Sequence, residues 1–276
     1  VASLVFFLFT VLPGDPAQMM LDQNENSKQL KIIKNKFGFD LPLIEQYFYY
    51  MNDLSPISFH SLDKNKFSNY DPSVYGGYIL FKNNSKVLIL KLPYFRTSYQ
   101  KRGKPVNEII KETLPNTAFL AISSMFIAVI FGLLFGIIST IFKDQLIDRI
   151  LLLISTIGMS IPSFFSAILF SWLFGFVLHS YTKLNMTGSF YELDNYGETY
   201  SIIWKNLILP SIVLGIRPLA VITQLIRSNL IEELSQDYIR TAFSKGLSKI
   251  QVIFRHALKN AINPVITAVS GWFVHF

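Results

Sequence analysis

The sequence predicts an all-α polytopic membrane protein, and its composition and the clustering of its apolar residues support this prediction. Hydrophobic residues make up 51% of the 276 residues and charged residues only 16%, whereas about 25% of a typical soluble domain is charged. Residues 116–142 and 150–178 contain no charged residue at all. Each segment exceeds the roughly 20 apolar residues that a helix needs to cross a bilayer. Neither has the polar face that a helix in a soluble protein shows to water.

A third transmembrane span is predicted over residues 202–226, although this segment also contains Lys205, Arg217 and two prolines. The apolar segments 1–12 and 264–276 are too short to cross a bilayer. We expect both to be parts of further transmembrane helices, which gives at least five spans. A signal peptide is not favoured for the first of them, because it lacks a basic n-region and a small-residue cleavage site.

The loops between the spans differ in charge, and this difference predicts their side of the membrane. The loop 227–263 contains six Lys and Arg residues, whereas the loop 179–201 contains only Lys183 beside three acidic residues. Short loops rich in Lys and Arg face the cytoplasm, while long segments are translocated largely regardless of charge. We therefore predict that 227–263, 143–149 and the N-terminus are cytoplasmic. The loop 179–201 and the polar region 13–115 are predicted to be extracytoplasmic.

The extracytoplasmic region is predicted to contain helices and strands. Residues 28–54 have the pattern of two amphipathic helices that are interrupted at Gly38 and Pro42. Within 77–95, β-favouring residues lie on both sides of the turn-forming residues 83–85, which predicts a β-hairpin. The predicted architecture is therefore an all-α membrane domain with an extracytoplasmic insertion that contains a hairpin.

The basic loop 227–263 contains a helix–turn–helix pattern. Asp237 is predicted to cap a helix that begins directly after it, and Gly246 supplies the left-handed residue that commonly follows a helix end. Lys245 lies in the last turn, where a cation interacts favourably with the helix dipole. Residues 248–251, Ser-Lys-Ile-Gln, have the pattern of a capping box, so a second helix is predicted to begin at once.

This pattern is compatible with three roles. The second helix continues to Pro264, which opens the next apolar segment, so a force on the turn would tilt that segment. We favour such a lever over a passive amphipathic loop that rests on the membrane surface. A DNA-reading helix-turn-helix is not favoured, because the second helix runs into a span and leaves no free recognition helix. No nucleic-acid partner is therefore predicted.

The same loop carries a resemblance to a known family. The stretch "DYIRTAFSKGLSKIQVIFRHALKNAINPVI" (237–266) resembles the cytoplasmic signature loop of ABC-transporter permeases, in the form found in peptide permeases. Three further stretches support the resemblance: "LPGDPA" (12–17), "FGFDLPLIEQY" (37–47) and "KRGKPVNEIIKETLPNTAFLAI" (101–122). The sequence is similar to the B-type subunit of dipeptide and oligopeptide importers, a family that also includes nickel importers. Residues 55–92 have the character of an insertion.

The resemblance implies a type I ABC importer transmembrane fold in a bacterial inner membrane. It also implies four kinds of partner besides the bilayer: a second homologous permease, two ATP-binding subunits and an extracytoplasmic substrate-binding protein. The coupling helix of this family contacts the ATPase, and the matching positions here are Arg240, Thr241, Ala242, Lys245, Gly246 and Leu247. The sequence departs from the general permease signature, which begins Glu-Ala-Ala where this chain has Arg240-Thr241-Ala242. The later proline of that signature falls at Lys259.

The sequence predicts a transport subunit, which is not itself an enzyme. The stretch "GKP" at 103–105 lacks the glycine spacing and the Ser or Thr of a Walker A motif. ATP and Mg²⁺ are therefore expected to bind the partner ATPase, and no cofactor or metal is expected on this chain. There are no cysteines, so thiol chemistry is excluded. The substrate stays open between dipeptides, longer peptides, glutathione and nickel.

An ion-coupled secondary transporter is the competing class of function. It would place ionisable residues in several spans and would show an internal repeat. The sequence shows one charge near the middle of a span and no such repeat. A purely structural membrane scaffold is a third class, and the lever-like loop disfavours it.

The charge near the middle of a span is Arg217, which costs about 2.5–3.5 kcal/mol on insertion scales. We expect its side chain to face a cavity or a partner. Two roles are weighed equally: contact with a substrate carboxylate in the translocation pathway, or pairing with the second permease or with carbonyl groups freed by Pro218. Pro162 is predicted to kink the span 150–178, and Ser160 beside it to allow close helix approach. Both are candidate pathway residues, although helix packing is the favoured role.

Overall fold

The computed structural model of the protein describes residues 2–11, 17, 27–63, 66–98, 100–101, 103–193 and 200–273. The chain forms two compact units, Val1–Thr113 and Leu114–Phe276. Most of the "LPGDPA" stretch and the acidic residues 194 and 198 of the loop 179–201 lie outside the described residues.

Three helices precede the first strand and have bounds within the described residues. These are α1 (Ala2–Val11), α2 (Ser27–Phe37) and α3 (Leu43–Leu54). The predicted interruption between α2 and α3 is present, because α2 ends directly before Gly38 and α3 begins directly after Pro42.

A three-stranded antiparallel sheet follows, in the order β1–β3–β2. Its elements are β1 (Ile57–Ser61), the short helix α4 (Pro72–Tyr75), β2 (Tyr78–Lys82) and β3 (Lys86–Leu90). The β2–β3 hairpin lies where the sequence predicts it, with its turn at residues 83–85. Strand β1 was not predicted, because its five residues, "ISFHS", are too few and too mixed in polarity to give a clear pattern.

One face of this sheet covers a buried group of charged side chains. Arg96 Nε donates to Asp53 Oδ2 at 2.8 Å, and Lys91 Nζ donates to the backbone carbonyl of Asp53. Burial raises the pKa of the Asp53 carboxyl, an effect that the positive charge of Arg96 opposes. His60 on β1 is also buried, with its ring 4.1 Å from that of Tyr75. Burial, with the nearby Lys91, lowers the pKa of His60 to about 4.

The second unit contains the long apolar helices. They are α5 (Val106–Ile141), most of which belongs to this unit, then α6 (Leu146–Ser160), α7 (Ser163–Phe170) with a π-helical continuation (Ser171–Val177), and α9 (Lys205–Glu233). Between α7 and α9 lie the short helix α8 (His179–Thr182) and the two-stranded pair β4 (Tyr191–Leu193) and β5 (Tyr200–Ile202). Four short helices close the described chain: α10 (Asp237–Ser244), α11 (Lys249–Val252) with a π-helical turn (Ile253–Ala257), α12 (Leu258–Ala261) and α13 (Asn263–Trp272).

Two of the described helices, α5 and α9, are each long and apolar enough to cross a membrane. The segment predicted as one kinked span, 150–178, is instead divided into two helices inclined by 109°; if this bent pair crosses as one span, the described residues hold three. The break lies at Ile161 and Pro162, which both have extended backbone conformations. A residue before proline disfavours the helical conformation and proline cannot donate a helical hydrogen bond, so the two effects together end the helix.

Helices α5 and α9 approach closely because glycines face isoleucines. A β-carbon placed on Gly132 would lie 2.8 Å from the Cβ of Ile222, and one placed on Gly136 would lie 2.7 Å from the Cβ of Ile226. Small residues at this four-residue spacing allow membrane helices to pack backbone against side chain. Ile222 and Ile226 are fully buried, and they extend the core of this unit toward the basic loop.

Candidate functional site

The helix–turn–helix predicted in the basic loop is present as α10, a turn at Gly246, and α11. Gly246 has a φ of +83°, and its N–H donates to the carbonyl of Phe243 at 2.9 Å. Ser248 and Gln251 form the predicted capping box, with bonds of 3.0 and 3.4 Å. The predicted cap at Asp237 is wrong by one residue. The N-cap is Gln236 without a side-chain bond, and Asp237 lies inside the helix, where its carboxylate accepts from Arg240 at 3.2 Å.

Helix α10 has one buried face and one exposed face. Ile239 is fully buried and Ala242 is 6% exposed, and both pack into the core of the second unit. The predicted coupling residues therefore separate into two groups. Ala242 is buried and Leu247 is half-buried against the core, whereas Arg240, Thr241, Lys245 and Gly246 are exposed.

Sequence analysis missed two further exposed side chains of α10, the aromatic rings of Tyr238 and Phe243. Their exposed fractions are 41% and 43%. In an amphipathic helix these rings would be expected on the buried apolar face, yet the packing of α10 leaves them at the surface. Together with the exposed cations they give α10 a mixed aromatic and basic surface. Aromatic residues and arginine are the types that protein interfaces favour.

A polar cluster fixes α10 to its neighbours. The Tyr238 hydroxyl donates to the Glu233 carboxylate at the end of α9, and Asn260 Nδ2 on α12 donates to that hydroxyl at 3.1 Å. Burial and the Glu233 carboxylate raise the pKa of Tyr238. On the other side, Lys249 Nζ donates to the Ile141 carbonyl at 2.7 Å, at the C-terminal end of α5. These bonds connect the loop to both long apolar helices.

Asp148 and Arg227 form a buried ion pair near the same loop. Arg227 Nε and Nη2 each donate to the Asp148 carboxylate at 2.7 Å, and the Asp148 side chain is 2% exposed. The Ser139 hydroxyl and the Asp144 N–H, the latter at 2.9 Å, donate to the same carboxylate. Four donors thus surround one carboxylate, and they come from α5, the turn after it and α9, while the carboxylate belongs to α6.

The ends of the helices near this ion pair therefore differ from the loop boundaries that were predicted from charge. Arg227 was predicted as a loop cation, but α9 continues to Glu233 and Arg227 lies within it. Asp148 was assigned to the loop 143–149, but it lies in the first turn of α6. No local pattern links residues that are 79 positions apart in the sequence, so sequence analysis could not find the pair.

Arg217 is exposed, and it makes no hydrogen bond or ion pair with any residue in the described ranges. The carbonyl groups near Pro218 are therefore not its partner within this chain. Gly158, just before Ser160, packs against Ile216, so the break region of α6 and the Arg217 region of α9 are neighbours. Ser160 and Pro162 are exposed as well, and the Ser160 hydroxyl donates to the Thr156 carbonyl at 2.8 Å.

An open groove of about 540 Å³ lies between α6 and α9. Its polar lining includes Thr156, Gln224 and Ser228, while Leu152 and Met159 contribute apolar surface. These polar residues were not singled out from the sequence, because Thr156 and Gln224 lie in predicted apolar spans and Ser228 lies in the predicted basic loop. Among the residues that the structure describes, no group of three or more His, Cys, Asp or Glu side chains is placed to hold a metal ion.

Comparison with known proteins gives matches along most of the chain. Residues 132–274 match the family described as binding-protein-dependent transport system inner membrane component. Residues 1–90 match the N-terminal domain of such membrane components. Similar proteins include the glutathione transport system permease protein GsiC of Escherichia coli (strain K12), Shigella flexneri serotype 5b and Salmonella typhi. Each is 28% identical over 273 residues, which cover 99% of this chain and 72% of the relative.

Proposed function

This chain belongs to the inner membrane component family of binding-protein-dependent transport systems, as an ABC-transporter permease of the peptide, oligopeptide and nickel group, and we propose that it forms half of the translocation pathway of a peptide importer. The family comprises membrane permeases, and ATP hydrolysis belongs to a separate subunit. The ion-coupled transporter and the structural scaffold are therefore set aside.

The proposed cargo is a short peptide. Glutathione, itself a short peptide, is favoured among the candidates because the similar proteins are named for glutathione transport. The exposed Arg217 supports cargo with a carboxylate, since a cation with no partner in its own described chain attracts an anion. Ser160 and Pro162, exposed near the break of α6, are proposed as neighbours of the same pathway.

The observation that carries the proposed mechanism is the two-sided packing of α10. One face, with Ile239 and Ala242, is buried in the core that includes α9, and the other face presents exposed Arg240, Thr241 and Lys245. A partner that moves the exposed face must move the helices fixed to the buried face. We therefore assign the exposed face of α10 to the ATP-binding subunit.

The remaining partners follow from this role. A second homologous permease would complete the pathway, a second ATP-binding subunit would serve it, and an extracytoplasmic binding protein would deliver the cargo. The loop 227–263 and the N-terminus would then be cytoplasmic, and the insertion 55–92 would lie outside. The long helices would adopt the type I importer arrangement. ATP and Mg²⁺ would bind the partner, so the chain itself needs no cofactor.

Charge reversal on α10 tests this function. Arg240→Glu and Lys245→Glu place carboxylates on the face assigned to the ATPase. If the partner surface is acidic and complementary to the exposed cations, each variant creates like-charge contacts, which cost several kcal/mol at an interface. ATP-driven uptake of a labelled dipeptide or of glutathione is then expected to fall at least tenfold. Lys259→Glu is the matched control, because Lys259 is an exposed cation on α12, outside the assigned face. Uptake that is equal in all three variants would contradict the assignment.

A further inference from the structure

In the three-stranded sheet of the first unit, strands β1 and β3 each have one covered and one uncovered side, whereas every residue of β2 is exposed. Along β1 the side chains alternate, with Ser58 and His60 buried and Ile57 and Phe59 exposed. Successive residues of a strand point to opposite faces. The exposed positions of this strand are thus both apolar, the reverse of the usual pattern for a sheet with one solvated face.

The strand register extends this uncovered face across the sheet. Residues that pair directly across strands point to the same side. The pairing aligns two rows of three apolar side chains, which we call the apolar sheet face: Ile57, Leu90 and Tyr78 in one row, and Phe59, Leu88 and Phe81 in the other. All except the half-buried Leu88 are exposed, and Tyr78 and Phe81 have exposed fractions of 80% and 63%. Exposed apolar patches of this kind mark interaction surfaces.

The segment that contains the sheet's hairpin is strongly basic. Residues 72–107 contain no Asp or Glu, but they contain Lys or Arg at positions 82, 86, 91, 96, 101, 102 and 104. Three of these cations are already paired with groups outside the segment: Lys91 and Arg96 bind Asp53, and Lys104 pairs with Glu112. Lys86, the first residue of β3, pairs with Ser61 on β1 and therefore lies on the same side as the apolar sheet face. Lys82 pairs with Val87, whose side chain is buried, and therefore lies on the opposite side.

An apolar and aromatic surface beside an exposed cation, Lys86, matches the chemistry of an anionic membrane surface. Apolar side chains enter the headgroup region, aromatic rings are enriched there, and each nearby Lys or Arg adds attraction to anionic lipid. The residues 91–105 alone connect the sheet to α5, a helix long and apolar enough to cross a membrane. A short stretch of chain therefore joins the sheet to a helix that can span a membrane.

We propose that the apolar sheet face rests on the surface of the membrane and inserts Tyr78 and Phe81 into an anionic lipid headgroup layer. Lys86 contacts the lipid phosphates beside these rings. This role concerns the insertion and does not depend on which cargo the importer carries.

Spin labelling of the full chain in lipid nanodiscs tests the proposal. The chain has no cysteine, so Phe81→Cys and Val74→Cys each introduce one labelling site. Val74 is exposed on α4, whose Tyr75 packs against His60 on the covered face, so it reports the opposite side. The measured quantity is the relaxation of the label by lipid-soluble oxygen relative to a water-soluble nickel complex.

In nanodiscs of equal parts phosphatidylglycerol and phosphatidylcholine, the oxygen-to-nickel ratio at position 81 is expected to exceed that at position 74 several-fold. Lys86→Gln is expected to shift the equilibrium from lipid-bound toward lipid-free sheet about fivefold, since one cation near an anionic surface contributes on the order of a fivefold change in binding. Lys82→Gln removes the same charge from the opposite side and is expected to have a smaller effect.

Two results would overturn the proposal. One is an equal ratio at positions 81 and 74 in anionic and in purely zwitterionic nanodiscs. The other is protection of position 81 that ignores lipid charge and appears only when the extracytoplasmic binding protein is added, which would assign the face to a protein partner.

Discussion

Removal of Arg227 is predicted to destabilise the second unit strongly, because it leaves a buried carboxylate without its cation. The Asp148 side chain is 2% exposed and receives two bonds of 2.7 Å from the guanidinium. Breaking a buried pair by removing one partner costs about 3–5 kcal/mol. The hydroxyl of Ser139 and the N–H of Asp144 still donate to the carboxylate, so Arg227→Met is expected to cost about 3 kcal/mol of the free energy of unfolding, the lower end of that range.

Removal of the other partner is predicted to cost less. The Arg227 side chain is 21% exposed, so in Asp148→Asn the guanidinium can still reach water. We expect a loss of about 1.5–2 kcal/mol, the lower part of the range for a hydrogen bond to a charged group. The direction of this asymmetry follows from the two exposures, and a pair that is equally buried on both sides would not show it.

The assay is the free energy of unfolding of the full chain by denaturant titration in mixed micelles, for both single variants and the double variant. Arg240→Ala is the matched control, since its pair with Asp237 has side chains 77% and 92% exposed and should contribute less than about 1 kcal/mol. A loss below about 1 kcal/mol for Arg227→Met, or a larger loss for Asp148→Asn than for Arg227→Met, would refute the reasoning.

Three further predictions concern single positions. Gly136→Ala places a β-carbon 2.7 Å from the Cβ of Ile226 and should cost about 1–3 kcal/mol of unfolding free energy, whereas Gly271→Ala, with open space around it, should not destabilise in the same titration. Gly246→Ala forces a side chain into a φ of +83° and should cost about 1–2 kcal/mol, measured as faster amide exchange at the end of α10; unchanged exchange would contradict it. The pKa of His60 is about 4 in the folded protein and 6.5 in the unfolded chain, so the unfolded chain binds the proton more readily. The sheet should therefore lose stability as the pH falls from about 6.5 to about 4. His60→Gln should lack this component in pH-dependent hydrogen exchange of β1, while the raised pKa of Asp53 acts in the opposite direction in both proteins; identical pH profiles would argue against the buried neutral imidazole.

The apolar helices and the helix–turn–helix of the basic loop could be predicted from the sequence, because their signals are local. An uncharged run longer than a bilayer defines α5 without any tertiary information. Gly246 and the Ser248–Gln251 capping box are recognised from residues a few positions apart. The exposed face of α10 could not be predicted in the same way, since only packing decides which of its apolar residues are buried.

The contacts that fix the site could not be predicted, because they join distant residues. Arg227 reads as a positive loop residue in the sequence, and its partner Asp148 is identified only when α6 and α9 are placed side by side. The break at Pro162 was recognised, but its size depends on how α7 packs. A local rule predicts that a helix is interrupted there and does not give the angle of 109°.

Cross-linking between α10 and the proposed ATP-binding subunit tests the central claim most directly. Cysteines introduced by Thr241→Cys and Lys245→Cys lie on the exposed face, whereas Ala242→Cys lies in the core of the second unit. With a bifunctional thiol reagent, the first two variants are predicted to form a cross-link to the ATPase whose yield changes on addition of ATP, and the third is predicted to form none. Absence of any cross-link at positions 241 and 245, in a complex that still hydrolyses ATP, would contradict the account.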